Sequence, residues 1–208
     1  MNKATQQTEL IIAPNGTVYH LDLKASDGIP PNLILVGAAS RVDDIATHFD
    51  EVYFTHTNKD RPEFYITCGT YKGVPVGALS VGMGTPSMEI ACNELHALFE
   101  YDHARDVWHT PEKPINIIRL GTAGTSLRDI PLGAYAITQY SLGLDNAGVY
   151  YPVAHQSEES FQLLQALRTT SFGAVNPALY VAPAHAMVVD ALQRVAGEQG
   201  AKAVKGLT

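Results

Sequence analysis

Apolar positions along the chain fall into short runs that end at glycines. Leu33-Ile34-Leu35-Val36 is a continuous apolar run that stops at Gly37, the pattern of a buried strand entering a loop. Val42, Ile45, Ala46 and Phe49 then recur at helical spacing. Residues 50–62 are polar and poor in pattern, and predict no element. Phe64–Tyr71 and Val74–Val81 predict two strands joined by Lys72-Gly73, a two-residue connection suited to a hairpin. After Gly82-Met83-Gly84, Thr85 is expected to cap a helix with Pro86 at its first position, where the missing N–H costs nothing. Met88, Ala91, Leu95, Leu98 and Phe99 fall on one face of that helix. Ile115–Ile118 and Ala134–Tyr140 predict further strands. Ser157, followed by Glu158-Glu159, predicts a helix start with carboxylates at its positive end. Ala184–Glu198 predicts another helix, stopped by Gly200, and Ala203-Val204 opens a last strand.

Strands alternating with helices give an α/β fold with a mostly parallel or mixed sheet. No repeat, low-complexity tract or linker divides it. The expected organisation is a flexible arm over residues 1–9 and one α/β domain over residues 10–208.

Composition narrows the function classes. The 208 residues include 14 Lys+Arg against 21 Asp+Glu, a net charge of −7. A dedicated nucleic-acid binder would need a basic stripe, so no nucleic-acid partner is expected. A few arginines in one cleft can still outweigh the global sign for a small anion. No run approaches the length of a membrane span, and the polar start lacks the apolar region of a signal peptide. Cys68 and Cys92 form no CxxC and are expected to be core thiols in a reducing compartment. His48, His56, His96, His103, His109, His155 and His185 are scattered without metal-ligand spacing, so no metal is expected. The stretch Asp106–Pro114 around Trp108 predicts a surface loop. Asp145-Asn146 predicts a turn, and Glu89 and Glu94 predict structural or subunit-contact roles.

Three glycine-bearing turns carry the candidate chemistry: Gly37-Ala38-Ala39-Ser40-Arg41, Gly82-Met83-Gly84-Thr85 and Arg119-Leu120-Gly121-Thr122-Ala123-Gly124. In an open α/β sheet, loops at the carboxyl ends of strands form the ligand crevice. Glycine there lets a backbone N–H approach an anion, and two of the turns bring an arginine whose guanidinium forks onto phosphate oxygens. The spacing thus points to a phosphate or carboxylate site. Other motifs fail: Ser87 stands where GxGxxG needs its third glycine, and GxxxxGK[ST] and GxSxG are both missing.

The order of these turns resembles the nucleoside phosphorylase family that contains uridine phosphorylase and the hexameric bacterial purine nucleoside phosphorylases. Tyr19-His20-Leu21 is similar to the family's amino-terminal histidine motif. Val36–Val42 is similar to its first phosphate loop, Ser80–Ile90 with Glu94-Leu95 to its signature, and Ile118–Gly124 to its second phosphate strand. The resemblance runs from about Val18 to the last residue.

The resemblance implies a central mixed β-sheet flanked by helices. It implies that Arg41 and Arg119 hold phosphate, helped by the Gly37 N–H and the Thr122 hydroxyl, with Arg119 and Thr122 as the catalytic pair. Met83 and Gly84 would line the ribose, and His20 would reach the sugar 5′-hydroxyl in a neighbouring subunit. Two departures stand out. Ala38-Ala39 replaces Asp-Pro in the first loop. Pro62 precedes Glu63-Phe64 where the family has a partner-subunit arginine, so either Arg61 substitutes with a shifted backbone or the third arginine is lost.

The implied activity is phosphorolysis of a nucleoside, uridine favoured, to free base and (deoxy)ribose 1-phosphate. Inorganic phosphate is the co-substrate and no further cofactor is implied. A cytoplasmic homodimer or hexamer, a trimer of dimers, is expected. The alternatives are a nucleosidase using water, or a non-catalytic member or fragment that binds phosphate or nucleoside. No Met-Glu follows residue 89, where the family places its ribose-binding glutamate. The chain is therefore expected to lack the family's carboxyl-terminal part and to hold the sugar diol weakly.

Overall fold

The computed structural model of the protein describes residues 10–110, 114–145, 147–151, 157–176 and 178–208. The arm expected over residues 1–9 and the turn residue Asn146 lie outside these. The chain divides into two compact units, residues 1–122 and 123–208, each with its own sheet.

The first unit contains β1 (Asn32–Val36), α1 (Ala39–Ala46), β2 (Glu51–Thr57), β3 (Phe64–Tyr71), β4 (Val74–Val81), α2 (Thr85–Glu100), β5 (Tyr101–Asp102), β6 (Val107–Trp108) and β7 (Asn116–Leu120). Its five-stranded sheet has the order β2-β3-β4-β1-β7. β1 runs parallel to β4 and β7, whereas β2, β3 and β4 form an antiparallel meander. The sheet is mixed and flanked by helices, as expected.

The apolar run of β1 follows from burial on both faces. Leu33 and Leu35 join Phe64, Ile66, Leu79, Leu95 and Leu98 in the main core. Ile34 and Val36 point the other way and pack with Val42, Ile45 and Ala78, so the two-residue period of the strand divides one run between two clusters. On α2, Ala91, Leu95 and Leu98 are buried, and Met88 and Phe99 pack against the same core. The expected hairpin is present, with Lys72 at φ 51° and Gly73 at φ 74°.

Three expectations are corrected. Residues 51–57 form strand β2 although their sequence is polar. β2 is the edge strand, with no residue fully buried, so it never develops the alternation that marks a strand. Gly84, rather than Thr85, is the cap residue of α2, which puts Thr85 first in the helix and Pro86 second. Trp108 belongs to the short β5–β6 pairing, stacks on His96 at 4.7 Å and packs against the main core. It is therefore an anchor within the expected loop.

The second unit contains β8 (Tyr135–Gly143), α3 (Glu158–Arg168), α4 (Ser171–Val175), β9 (Tyr180–Pro183), α5 (Ala186–Glu198) and β10 (Ala203–Leu207). β10 is parallel and β9 antiparallel to the central β8. The Ser157 hydroxyl accepts the Ser160 N–H at 3.1 Å and caps α3 as expected. Tyr140, Leu164, Leu179 and Val181 form the core, with α3 packed on β9 and α5 on β8 and β10. Asp145 takes the turn role, accepting the Ala147 N–H at 2.9 Å. The sequence pattern does not predict α4 or β9, which have five and four residues and are too short to show a period. No helix among the described residues is long and apolar enough to cross a membrane.

Cys68 and Cys92 are free. Cys68 is fully buried in the main core, and burial pushes its thiol up to about 12. The thiolate is the reactive form. Cys68 should therefore resist a thiol reagent at neutral pH while the protein is folded, and react once it is unfolded. Labelling of the native protein at the rate of a free thiol would contradict this burial.

Candidate active site

β4, β1 and β7 are adjacent and parallel, so their carboxyl ends share one edge of the sheet. Val36 at the end of β1 lies opposite Ser80 of β4 and Leu120 of β7. The turns at Gly82, Gly37 and Gly121 therefore leave the sheet side by side. A Cβ on Gly37 would lie 3.4 Å from the Gly82 carbonyl oxygen, which shows how closely the first two approach. β3 begins at the same edge, with Phe64 opposite Val81, so the loop carrying Arg61 joins them. The topology brings Gly37, Arg41, Met83, Gly84, Arg119, Thr122 and Arg61 to one edge.

Two helix starts and two arginines gather positive charge at this edge. α1 has Ala38 and α2 has Gly84 at the cap position, and neither helix start has a side-chain cap. Helix amino ends carry unpaired N–H groups and the positive pole of the helix dipole. Arg41 lies in the first turn of α1, and Arg119 is the penultimate residue of β7, opposite Leu35. Neither guanidinium has a carboxylate partner among the described residues. The Arg119 guanidinium folds back over Gly121, where an added Cβ would meet its Nη1 at 2.7 Å. Arg41 is held indirectly. The Tyr65 hydroxyl donates to Asp43 of α1 at 2.8 Å, and Val42 is fully buried.

The Gly82-Met83-Gly84 turn is shaped by its glycines and by serines. Gly82 has φ 68° and Gly84 has φ 93°, conformations that side chains disfavour. That backbone demand explains why Gly84, and not Thr85, caps α2. The Ser87 hydroxyl donates to the Val81 carbonyl and closes the turn. The Ser80 hydroxyl donates to the Glu63 carbonyl at 2.6 Å and ties the Arg61 loop to the end of β4. Met83 is left 91% exposed at the turn's apex.

His20 sits in a separate polar network. Its backbone N–H donates to the Glu94 carboxylate at 2.8 and 3.0 Å, and its Nδ1 lies 2.7 Å from Glu94 Oε1. Asn58, itself buried, donates to the His20 carbonyl at 2.7 Å and accepts the N–H groups of Asp60 and Arg61 at 2.9 and 3.2 Å. The Arg61 guanidinium stacks over Tyr19, 4.7 Å from the ring centroid, and reaches its hydroxyl at 3.3 Å. His20 and Arg61 are thus joined through Asn58. Asn58 was not singled out in the sequence. The sequence predicts a structural or subunit-contact role for Glu94, but its position carries a stronger signal. It falls on the buried stripe of α2 with Ala91, Leu95 and Leu98, where a carboxylate needs dedicated partners. No group of three His, Cys, Asp or Glu side chains among the described residues could hold a metal.

The family model of the Phosphorylase superfamily matches residues 32–208, across the boundary between the two units. The chain belongs to this superfamily. It is 32% identical to uridine phosphorylase of Treponema pallidum over 72% of the chain and 52% of that protein. Against uridine phosphorylase of Thermococcus kodakarensis the identity is 29%, over 73% of the chain and 50% of the relative. A DeoD-type purine nucleoside phosphorylase of Lactococcus lactis is 34% identical over 57% of the chain and 46% of its own length. Among solved structures, a Trypanosoma brucei nucleoside phosphorylase with uridine phosphorylase activity superposes with a TM-score of 0.84 at 30% identity. That superposition covers 96% of this chain and 68% of the other. The chain spans about half the length of the curated relatives it matches.

The contact of Gly121 with Arg119 gives a direct test of the superfamily edge. Gly121→Ala puts a methyl 2.7 Å from Arg119 Nη1 and must displace the guanidinium. Phosphate affinity, read by calorimetry, should fall on the order of tenfold, the scale of one charge-assisted hydrogen bond. Stability should change by no more than about 1 kcal/mol. Unchanged affinity would remove Arg119 from the anion site.

Proposed function

We propose that the protein is a nucleoside phosphorylase acting on uridine, with inorganic phosphate as co-substrate and free base and (deoxy)ribose 1-phosphate as products. The observation that carries this reading is the pair of guanidiniums, Arg41 and Arg119, without carboxylate partners among the described residues, beside two helix starts without side-chain caps at one sheet edge. A hydrolase using neutral water has no need of two cations around its nucleophile. The relatives named uridine phosphorylase support the choice of base.

In this reading Gly37, Arg41, Arg119 and Thr122 hold phosphate. Arg stays charged at all working pH values, so it gathers the anion without giving it a proton. A phosphate oxygen attacks the anomeric carbon from the face opposite the base, and the electron pair of the breaking C–N bond leaves with the base. The sugar passes through an oxocarbenium-like state, which an anion held in line stabilises. Met83 and Gly84 line the ribose, and His20 meets the 5′-hydroxyl. Arg61 supplies the third cation from a position one residue earlier than in the family pattern. Its link to His20 through Asn58 supports delivering both residues together, to a neighbour's site in a homodimer or hexamer. The reading includes a cytoplasmic location, in keeping with the free thiols Cys68 and Cys92.

Assays of activity and of subunit exchange test it. Uridine and inosine are incubated with and without phosphate, and sugar 1-phosphate is sought. Arg119→Ala should lower kcat/KM for phosphorolysis by roughly 10²–10³-fold, the loss seen when one key oxyanion donor is removed. Wild-type phosphorolysis in that variant would overturn the site. Shared sites also make complementation possible. Inactive His20→Ala and Arg119→Ala proteins should regain activity when mixed and allowed to exchange subunits. A strictly monomeric protein in sedimentation would exclude the shared site.

A further inference from the structure

Glu94 is the least exposed charged residue among the described residues, at 2% of its surface. Its carboxylate has no Lys or Arg partner among the described residues. Instead it accepts the backbone N–H of His20 at 2.8 and 3.0 Å, the backbone N–H of Leu21 at 2.7 Å and the imidazole of His20 at 2.7 Å. A buried carboxylate is costly unless hydrogen bonds replace its lost water, and here all of them come from two consecutive residues. A carboxylate only accepts, so the proton at this contact belongs to Nδ1 of His20. The ring is also fixed from its flanks, edge-on to Tyr19 at 4.9 Å and to Phe64 at 6.3 Å. The His20 side chain keeps 27% of its surface exposed, and Nε2 has no hydrogen-bond partner among the described residues.

From this geometry we infer that Glu94 is a positioning residue, which locks His20 as the Nδ1–H tautomer and presents Nε2 outward as an acceptor for a hydroxyl. A second group that fixes which nitrogen carries the proton decides what the other nitrogen can do. An Nε2 acceptor takes a hydrogen bond from an O–H and gains nothing from a group that only accepts or is apolar. On the functional reading above, on which this part rests, the hydroxyl is the nucleoside 5′-OH. The Glu94–His20 pair then selects against sugars whose 5′ position has lost its hydroxyl. Glu94 never touches the substrate.

The test is nitrogen NMR on the full chain carrying ¹⁵N-histidine, at mildly alkaline pH. Wild-type His20, assigned by its loss in His20→Ala, should show a protonated Nδ1 and a bare Nε2. Glu94→Gln keeps an oxygen for the two backbone N–H groups but turns an NH₂ toward the ring, so the two ring-nitrogen resonances should exchange places. Glu94→Asp keeps an acceptor and should retain the wild-type order. Wild-type His20 with Nε2 protonated, alone or together with Nδ1, would overturn the inference without any variant having to fold. So would a Glu94→Gln spectrum in the wild-type order. In a separate arm, uridine should shift the wild-type Nε2 resonance and 5′-deoxyuridine should not. If the tautomer results hold and both nucleosides act alike, the 5′-hydroxyl assignment of the functional reading fails, while the positioning by Glu94 stands.

Discussion

The parallel pairing of β1 with β4 on one side and β7 on the other governs the rest of this site. It puts three strand ends at one level, so three turns that are far apart in sequence emerge together. The pairing is held by burial on both faces of β1, where Leu35 and Val36 have no exposed surface. Because those two residues belong to different clusters, a slip of one position would exchange their faces and break both. The register that aligns Arg119 with Leu35 is therefore set by packing below the site rather than by anything within it.

With the frame fixed, the edge can leave its charges uncompensated. A protein with seven more acidic than basic residues has carboxylates to spare, yet among the described residues none is paired with Arg41 or Arg119. Histidine is treated differently in the same unit. His20 is given a carboxylate that is buried and wholly devoted to it and its neighbour. The two cations stand without a carboxylate among the described residues, whereas the imidazole is hydrogen-bonded to one. The membership of the chain in the phosphorylase superfamily fits this division of labour.

The buried strands, the hairpin and the two longer helices were legible because each pattern is enforced over several turns or several alternations. β2 was not, since an edge strand with Val52 and Tyr53 half exposed obeys no burial rule strong enough to shape its sequence. α4 and β9 were too short to register a period. The glycine turns and both arginines of this edge were legible, because they lie next to recognisable strand ends. The pairing of His20 with Glu94 was hidden by a separation of 74 positions. Only a carboxylate on the apolar stripe of α2 hinted at it. Pro62 before Glu63-Phe64 was visible as a departure, but the packing of Arg61 on Tyr19 depends on the path of a loop that carries no pattern.

Asn58 gives the site a mechanical property of its own. One side-chain amide holds the His20 carbonyl with its NH₂ and the start of the Arg61 turn with its oxygen. Two groups that would otherwise fluctuate as separate loops therefore share one anchor. Shared anchors make energetic effects non-additive. Disorder introduced at either group is transmitted to the other, and a second lesion costs less than the first.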